Sequence, residues 1–452
     1  MNILIEKNVL VNTALGKQSV DSNKIYRKLS FVQIVEIDGV TIAYNNLTKE
    51  MIALDDAEIG LFEKSTVIPD SNNFELIENW FFVPVENNDS VLSDQLCELA
   101  KIFQASDYVN NFVILPTSDC NARCFYCFEA DAVKSNMSKQ TALEVAEYIK
   151  KVSKGHKIVI RWFGGEPLYN VEVIDIICEK LREFNLEYQS MIVTNAFLFT
   201  PEMVLRAKDL WNLTFAQITL DGTEKIYNRT KNYINCEGLN PFEIVLCNIY
   251  ELISNQIHVK IRLNMDKHNS SDLYDLLDLL YKRFPDTTYL TISASLLFED
   301  LGYYKIKHND DERKKLNAEF FALEDYIEEK GFRSNSKLKN FIKIHACMSD
   351  DDSFVLISPL GDLGKCEHYV SEHFFGRIDS DDVNCEEINY WKARRQKFPE
   401  CETCVCYPTC FYSAGCNTHQ KVCDDFEREN SQRKLIRKIK GTYRQLNESN
   451  FE

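Results

Sequence analysis

Cys120, Cys124 and Cys127, in the run Cys120-Asn-Ala-Arg-Cys124-Phe-Tyr-Cys127, are the residues whose type and spacing speak most directly of chemistry. They follow an apolar, strand-like segment, Phe112–Leu115, so the thiols sit where a strand gives way to a loop. Thiols spaced three and two residues apart can converge on one face of such a loop. Three is one fewer than an iron–sulfur cubane needs, which leaves one iron open to a non-protein ligand. The alternative is a structural zinc loop, but that wants four protein ligands, and no fourth cysteine or histidine lies nearby in the chain.

The spacing, with the aromatic Tyr126 just before the third cysteine, resembles the cluster motif of the radical S-adenosylmethionine (SAM) superfamily. The resemblance implies a 4Fe–4S cluster on Cys120, Cys124 and Cys127, its open iron chelating the amino and carboxylate groups of SAM. A second strand-like run ends in Trp162-Phe163-Gly164-Gly165-Glu166-Pro167, where two glycines let the backbone approach a ligand closely and a carboxylate can accept from an ammonium group. Gly164, Gly165 and Glu166 match the family's glycine-glycine-glutamate-proline element, which contacts the SAM amino group. A third run ends in Val193-Thr194-Asn195-Ala196, resembling a threonine–asparagine–glycine element with alanine at the glycine. A fourth ends in Thr219-Leu220-Asp221-Gly222, resembling serine–leucine–aspartate–glycine with the SAM-holding hydroxyl kept at Thr219. Twelve residues after Thr219, where relatives carry an arginine near the SAM carboxylate, stands Lys231, with Arg229 two residues earlier. Lysine offers a point charge rather than a planar fork. On the fifth run Arg262 and Asn264 flank Leu263 and point to the same side, which makes Asn264 a pocket residue and leaves Arg262 to pair within the barrel.

Nine of the 16 cysteines fall between Cys347 and Cys423. Thirteen residues separate Cys347 from Gly361 and four separate Gly361 from Cys366; Cys401, Cys404, Cys410, Cys416 and Cys423 follow. This resembles the SPASM domain, which carries two auxiliary 4Fe–4S clusters. By position, the resemblance implies that Cys347, Cys366 and Cys416 hold the first cluster, with Cys385, Cys406 or an open iron completing it. Cys401, Cys404, Cys410 and Cys423 hold the second. Glu367 directly follows Cys366, where sulfatase-maturing relatives place an aspartate as base, and is the candidate catalytic base. Zinc knuckles are the alternative for the region.

The elements that must position these residues alternate along the chain. Phe112–Leu115, Ile158–Phe163, Met191–Val193, Phe215–Leu220, Val259–Leu263 and Tyr289–Ile292 read as strands. Amphipathic stretches lie between them, as in Ser271–Leu280 with Leu273, Leu276, Leu277 and Leu280 on one helix face. Strands separated by helices imply βαβ units and a parallel sheet, with sites at the carboxyl ends of the strands. Six units suit the partial (β/α)6 parallel barrel of the radical SAM family. Ahead of it, Phe31–Val35 and Val40–Tyr44 flank an Asp38-Gly39 hairpin signal, and helix-like stretches follow at Asp55–Phe62, Phe74–Trp80 and Asp94–Phe103. That order resembles the winged-helix-like module that binds leader peptides.

The expected organisation is therefore α/β: a peptide-recognition module over 1–106, the barrel over 107–335, a cysteine-rich SPASM domain over 336–427 and a C-terminal helix over 428–452. With 52 basic against 69 acidic residues, a net charge of −17 disfavours a nucleic-acid partner. No uncharged apolar run is long enough to span a membrane, and Glu6 and Lys7 interrupt the only candidate secretory segment, so the expected location is cytoplasmic. Cysteines in a reducing compartment point to metal rather than disulfides. The resemblance implies a SAM-dependent radical enzyme with three 4Fe–4S clusters, fed by an external electron donor of flavodoxin or ferredoxin type. Its expected substrate is a precursor peptide with a leader, whose side chains it cross-links through thioether or carbon–carbon bonds. A formylglycine-generating sulfatase maturase is the enzymatic alternative. A non-catalytic iron–sulfur or zinc regulatory protein is the alternative of another class.

Overall fold

The computed structural model describes residues 1–449 apart from 105, 131, 298–309, 333–337, 340–347, 369–372, 392–397 and 411–422. The chain divides into two compact units, one of residues 1–105, 336–347 and 393–452, the other of residues 106–335 and 348–392.

In the first unit, β1 (Asn2–Ile5), β5 (Met51–Leu54), β4 (Val40–Asn45) and β3 (Val32–Ile37) form an antiparallel sheet in that order, and β2 (Tyr26–Lys28) pairs with β6 (Phe82–Pro84). Asp38 and Gly39 form the two-residue turn between Ile37 and Val40. Both have positive φ, 51° and 80°, the turn geometry that follows the right-handed twist of the strands. Helices α1 (Val9–Leu15), α2 (Asp56–Phe62), α3 (Phe74–Glu78) and α4 (Asp89–Gln104) accompany the sheet. Asp55 caps α2 in a reciprocal pair with Glu58.

Strand alternation divides the side chains cleanly. Ala43, Ile52 and Leu54 join Leu61, Leu76 and Ile77 in one cluster, which also takes in Cys401 and Tyr407. Val35, Ile37, Ile42, Tyr44 and Met51 face the other way, under Leu435, Ile439 and Tyr443 of the C-terminal helix Asp425–Ser449 and beside Cys406. The sheet is thus apolar on both faces because both are covered. β1, α1 and β5 have no counterpart in the sequence reading, and the expected C-terminal helix begins three residues earlier.

In the second unit, β7 (Asn111–Thr117), β8 (Ile158–Gly164), β9 (Tyr188–Thr194), β10 (Leu213–Leu220), β11 (His258–Met265) and β12 (Leu290–Leu296) lie side by side in chain order, each parallel to the next. All six expected strands are present, most of them longer than their apolar kernels. Helices α5 (Lys139–Ser153), α6 (Val171–Glu183), α7 (Pro201–Asp209), α8 (Glu224–Lys231), α9 (Pro241–Ser254) and α10 (Asp272–Arg283) make the connections, and α11 (Asp310–Glu329) follows. β13 (Phe354–Ile357) then adds parallel to β7, with β14 (Asp362–Gly364) and β15 (Gly376–Arg377) antiparallel beyond it.

Right-handed crossovers that always step in one direction lay their helices on one face of the sheet. Ile160, Trp162, Ile192, Ile218, Ile261 and Leu263 are buried on that face against the helices. The alternate residues mix apolar side chains such as Val159, Met191 and Phe215 with the half-buried polar ones Arg161, Gln217, Thr219, Arg262 and Ser293. Polar side chains on the face opposite the helices are what a ligand-holding sheet requires. Among the described residues no helix is long and apolar enough to cross a membrane.

Candidate active site

The cysteine loop leaves the carboxyl end of β7 and is fastened by its neighbours. Gly165 N donates to Thr117 O (3.2 Å) and Glu166 N to Asp119 O (2.8 Å) from the end of β8. Arg123 N donates to Lys231 O and Ile234 N to Asn121 O, each at 2.8 Å. A Cβ on Gly164 would stand 2.3 Å from Thr117 O, and one on Gly165 2.2 Å from Asp119 O. The glycines are therefore needed so that the strand-end turn can press against the backbone that opens the cysteine loop, and Gly164 also has a φ of +111°.

Cys120 Sγ accepts from Ala122 N (3.3 Å), and Asn195 Nδ2 lies 3.8 Å from it. Burial pushes the Cys120 thiol up to about 12 and raises Cys124 and Cys127 as well, so a metal would have to displace their protons. Among the described residues no three His, Cys, Asp or Glu side chains already stand together as a metal site. The donor set itself fits an iron–sulfur cluster: three thiols on one anchored loop, within electrostatic reach of one another, with N–H donors turned to sulfur.

Around the loop stand the other strand-end residues. Glu166 is fully buried; its Oε1 accepts from Thr194 Oγ1 (2.7 Å) and Leu168 N (3.2 Å), its Oε2 from Asn195 N (2.8 Å). Burial pushes this carboxyl up to about 7 against the pull of those donors. Asn195 reaches Asn121 Oδ1 at 2.7 Å, tying β9 to the loop, and Ala196 adopts a φ of +62°, the conformation the family's glycine would take without strain.

Lys231 is buried and bound inside the protein: it donates to Tyr126 OH at 2.9 Å and Thr219 Oγ1 at 2.6 Å and is ion-paired with Asp221 Oδ2 at 2.9 Å. Tyr126 OH in turn donates to Asp221 Oδ2 (2.8 Å). Burial works against the charge on Lys231, but Asp221 and Tyr126 hold its pKa well above the ordinary lysine value. The structure thus gathers Tyr126, Thr219 and Lys231 into one network and adds Asp221. Asn264 is buried beside them, and among the described residues its Oδ1 has no hydrogen-bond partner, nor have Asp221 Oδ1 and Arg262 Nε.

Glu367 is held by Arg161, Nη1 to Oε2 at 3.4 Å. Glu129, two residues after Cys127 and unmarked in the sequence, is buried with neither carboxylate oxygen hydrogen-bonded among the described residues. Burial pushes it up to about 7, with Lys134 pulling down and Glu367 adding to the rise. No sequence pattern marks such a residue; its burial comes from the fold.

In the first unit, Cys401 lies within electrostatic reach of Cys404 and Cys410, and Cys423 within reach of Cys410 and Cys404. Cys406 is hydrogen-bonded to Cys404, which lowers the Cys404 pKa. Cys366 is half-buried and Cys385 exposed, both in the second unit. Cys347 and Cys416 lie outside the described residues.

Residues 114–285 match the family described as the Radical SAM superfamily. The GTP 3′,8-cyclase of Clostridium perfringens is 24% identical over 272 residues, 56% of this chain and 79% of that protein. The radical SAM cyclopropyl synthase TigE of Paramaledivibacter caminithermalis is 21% identical over 407 residues, 79% of this chain and 83% of its own. Among solved structures, native anSMEcpe with bound AdoMet and Cp18Cys peptide superposes with a TM-score of 0.53 at 18% identity, over 76% of this chain and all of that one. Streptococcus suis SuiB bound to precursor peptide SuiA gives 0.51 at 16% identity, over 87% of this chain and 96% of that one. At these identities the likeness is one of fold.

Proposed function

Residues 114–285 form a radical SAM domain, and on that premise we propose that the chain is a radical SAM/SPASM maturase that modifies side chains of a ribosomally made peptide. The observation that carries this reading is the anchored Cys120–Cys124–Cys127 loop at the carboxyl ends of a one-directional parallel sheet whose other face carries Arg161, Gln217, Thr219 and Arg262. In this reading the sheet is a partial (β/α)6 barrel. When bound, a reduced cluster and SAM supply a 5′-deoxyadenosyl radical that abstracts an unactivated hydrogen. The chain's own part is to hold and shield. Glu166 Oε2 keeps room to accept from the SAM ammonium, Asn195 and Gly165 fix the cysteine loop, and Thr219, Tyr126 and Lys231 form the buried wall. Asp221 is the carboxylate bound into that wall, and Glu367, held by Arg161, is the candidate base.

Cys401, Cys404, Cys410 and Cys423 hold one auxiliary cluster, and Cys347, Cys366 and Cys416 another. The N-terminal sheet, with β3 as an edge strand among the described residues, is a winged-helix-like module that takes the leader as an added strand. A cytoplasmic location and a flavodoxin- or ferredoxin-type donor complete the proposal. The peptide-bound neighbours SuiB and anSMEcpe support a peptide substrate. The test is incubation of reduced holoprotein and SAM with a candidate precursor peptide and, in parallel, with a sulfatase-derived cysteine peptide. Loss of two hydrogens from the core segment, dependent on SAM, is expected; conversion of a sulfatase cysteine to formylglycine instead would establish the sulfatase-maturase alternative.

A further inference from the structure

A ligand with a carboxylate can enter a buried site only where a cation or N–H donors meet it. SAM carries such a carboxylate, and Lys231, the sequence's candidate for it, is already committed: it donates to Tyr126 and Thr219 and is ion-paired with Asp221. Arg161 gives Nη1 to Glu367 and Nε to Met191 Sδ. Lys134 is turned onto the carbonyls of Ser118 and Glu129. Arg262 differs: Nη2 donates to Ser295 Oγ at 2.9 Å, while Nε is buried with no hydrogen-bond partner among the described residues. In the β10–β11 register Arg262 stands directly opposite Thr219, and two residues on, on the same face, Asp221 and Asn264 each carry a buried oxygen without a hydrogen-bond partner among the described residues. One open donor beside two open acceptors complements a zwitterionic amino-acid group.

We propose that Arg262, not Lys231, receives the carboxylate of SAM, and that Lys231 instead fixes Asp221, Tyr126 and Thr219 as the wall of the site. This rests on the radical SAM reading above. The guanidinium can give its Nε–H to a carboxylate and keep Ser295, because Nη2 carries two N–H bonds.

The test is anaerobic calorimetry on the reconstituted holoprotein with SAM and with decarboxylated SAM, which lacks the group in question. Arg262→Gln should weaken SAM by about tenfold or more, as loss of a charge-assisted hydrogen bond does, while leaving decarboxylated SAM within about twofold of wild type. Arg262→Lys, which keeps charge and stem, should recover part of the loss. It also serves as the informative variant if the glutamine protein does not fold. The shift of the reduced cluster's electron paramagnetic resonance on SAM addition should need correspondingly more SAM. Equal weakening of both ligands, unchanged SAM affinity in both variants, or an effect on peptide KM alone would overturn the assignment. If wild type holds iron but binds no SAM, the functional reading falls with it; if wild type binds SAM and the variants match it, only this inference falls.

Discussion

Replacing Lys231 by methionine isolates a buried charge held by Tyr126, Thr219 and Asp221. The side chains of Lys231 and Asp221 are 3% and 2% exposed, so the pair is buried at both ends. Methionine keeps the stem volume and removes the ammonium. Asp221 would then keep only the Tyr126 hydroxyl on Oδ2, with Oδ1 already lacking a hydrogen-bond partner among the described residues. Breaking one partner out of a buried pair costs about 3–5 kcal/mol, because a charge is left without compensation. At roughly 2–4 °C per kcal/mol for a unit of this size, the thermal midpoint should drop by on the order of 10 °C. The double variant Lys231→Met with Asp221→Asn removes the stranded charge and should recover at least half of the loss. Differential scanning fluorimetry on reduced, metal-free protein reads all three chains under one condition. A single variant within about 1 kcal/mol of wild type, or a double variant no more stable than the single, would refute the reasoning.

Gly165→Ala should lower iron bound at Cys120, Cys124 and Cys127, since its Cβ would meet Asp119 O at 2.2 Å; iron analysis after reconstitution checks it. Gly60→Ala, in α2 with nothing within 4 Å of the new Cβ, should leave iron unchanged and add about 1 kcal/mol of stability. Burial pushes the Glu50 carboxyl up to about 7 from an ordinary 4.5, so the folded chain holds the extra proton. Its stabilising contribution is full below about pH 4.5 and is lost as pH rises through 7. Glu50→Gln should therefore raise the melting midpoint at pH 8 and leave it nearly unchanged at pH 4.5, by a few kcal/mol at most, at about 1.4 kcal/mol per pKa unit. With Ile37 and Val40 as the hydrogen-bonded pair that closes the hairpin, Glu36 turns its N–H to the free edge of β3. Glu36→Pro should spare the fold but weaken leader-peptide binding by roughly tenfold or more. Equal affinity by titration would reduce the module to a structural cap.

What the sequence made legible were features written locally. The cysteine spacing, the Asp38-Gly39 turn and the six apolar strand kernels each depend on residues a few positions apart. The strand-end residues were legible through resemblance, yet their physical partners were not. Gly164 and Gly165 are required by the backbone of Thr117 and Asp119, and Lys231 is occupied by Tyr126 and Asp221, 105 and 10 residues away in sequence. β1 and β5 are four residues each and pair across nearly fifty positions, so no periodic pattern announces them. The polar run from Asn45 to Glu50 reads as an exposed loop. It is buried because Asn46 Nδ2 donates to Val405 O at 2.8 Å, a bond over 359 residues. Glu129 escaped notice for the same reason: tertiary packing, not sequence neighbours, takes it out of water.

The central claim is that Cys120, Cys124 and Cys127 hold a cluster that cleaves SAM. Anaerobic reconstitution followed by reduction with dithionite in the presence of SAM tests it directly, with iron content, visible absorption and 5′-deoxyadenosine as readouts. The account predicts about twelve irons, four for each of three clusters, and 5′-deoxyadenosine formed with time. Replacing the three cysteines with alanine should remove about four irons and all of the 5′-deoxyadenosine. Stoichiometric zinc with no iron–sulfur absorption, or SAM cleavage that survives the triple replacement, would contradict it.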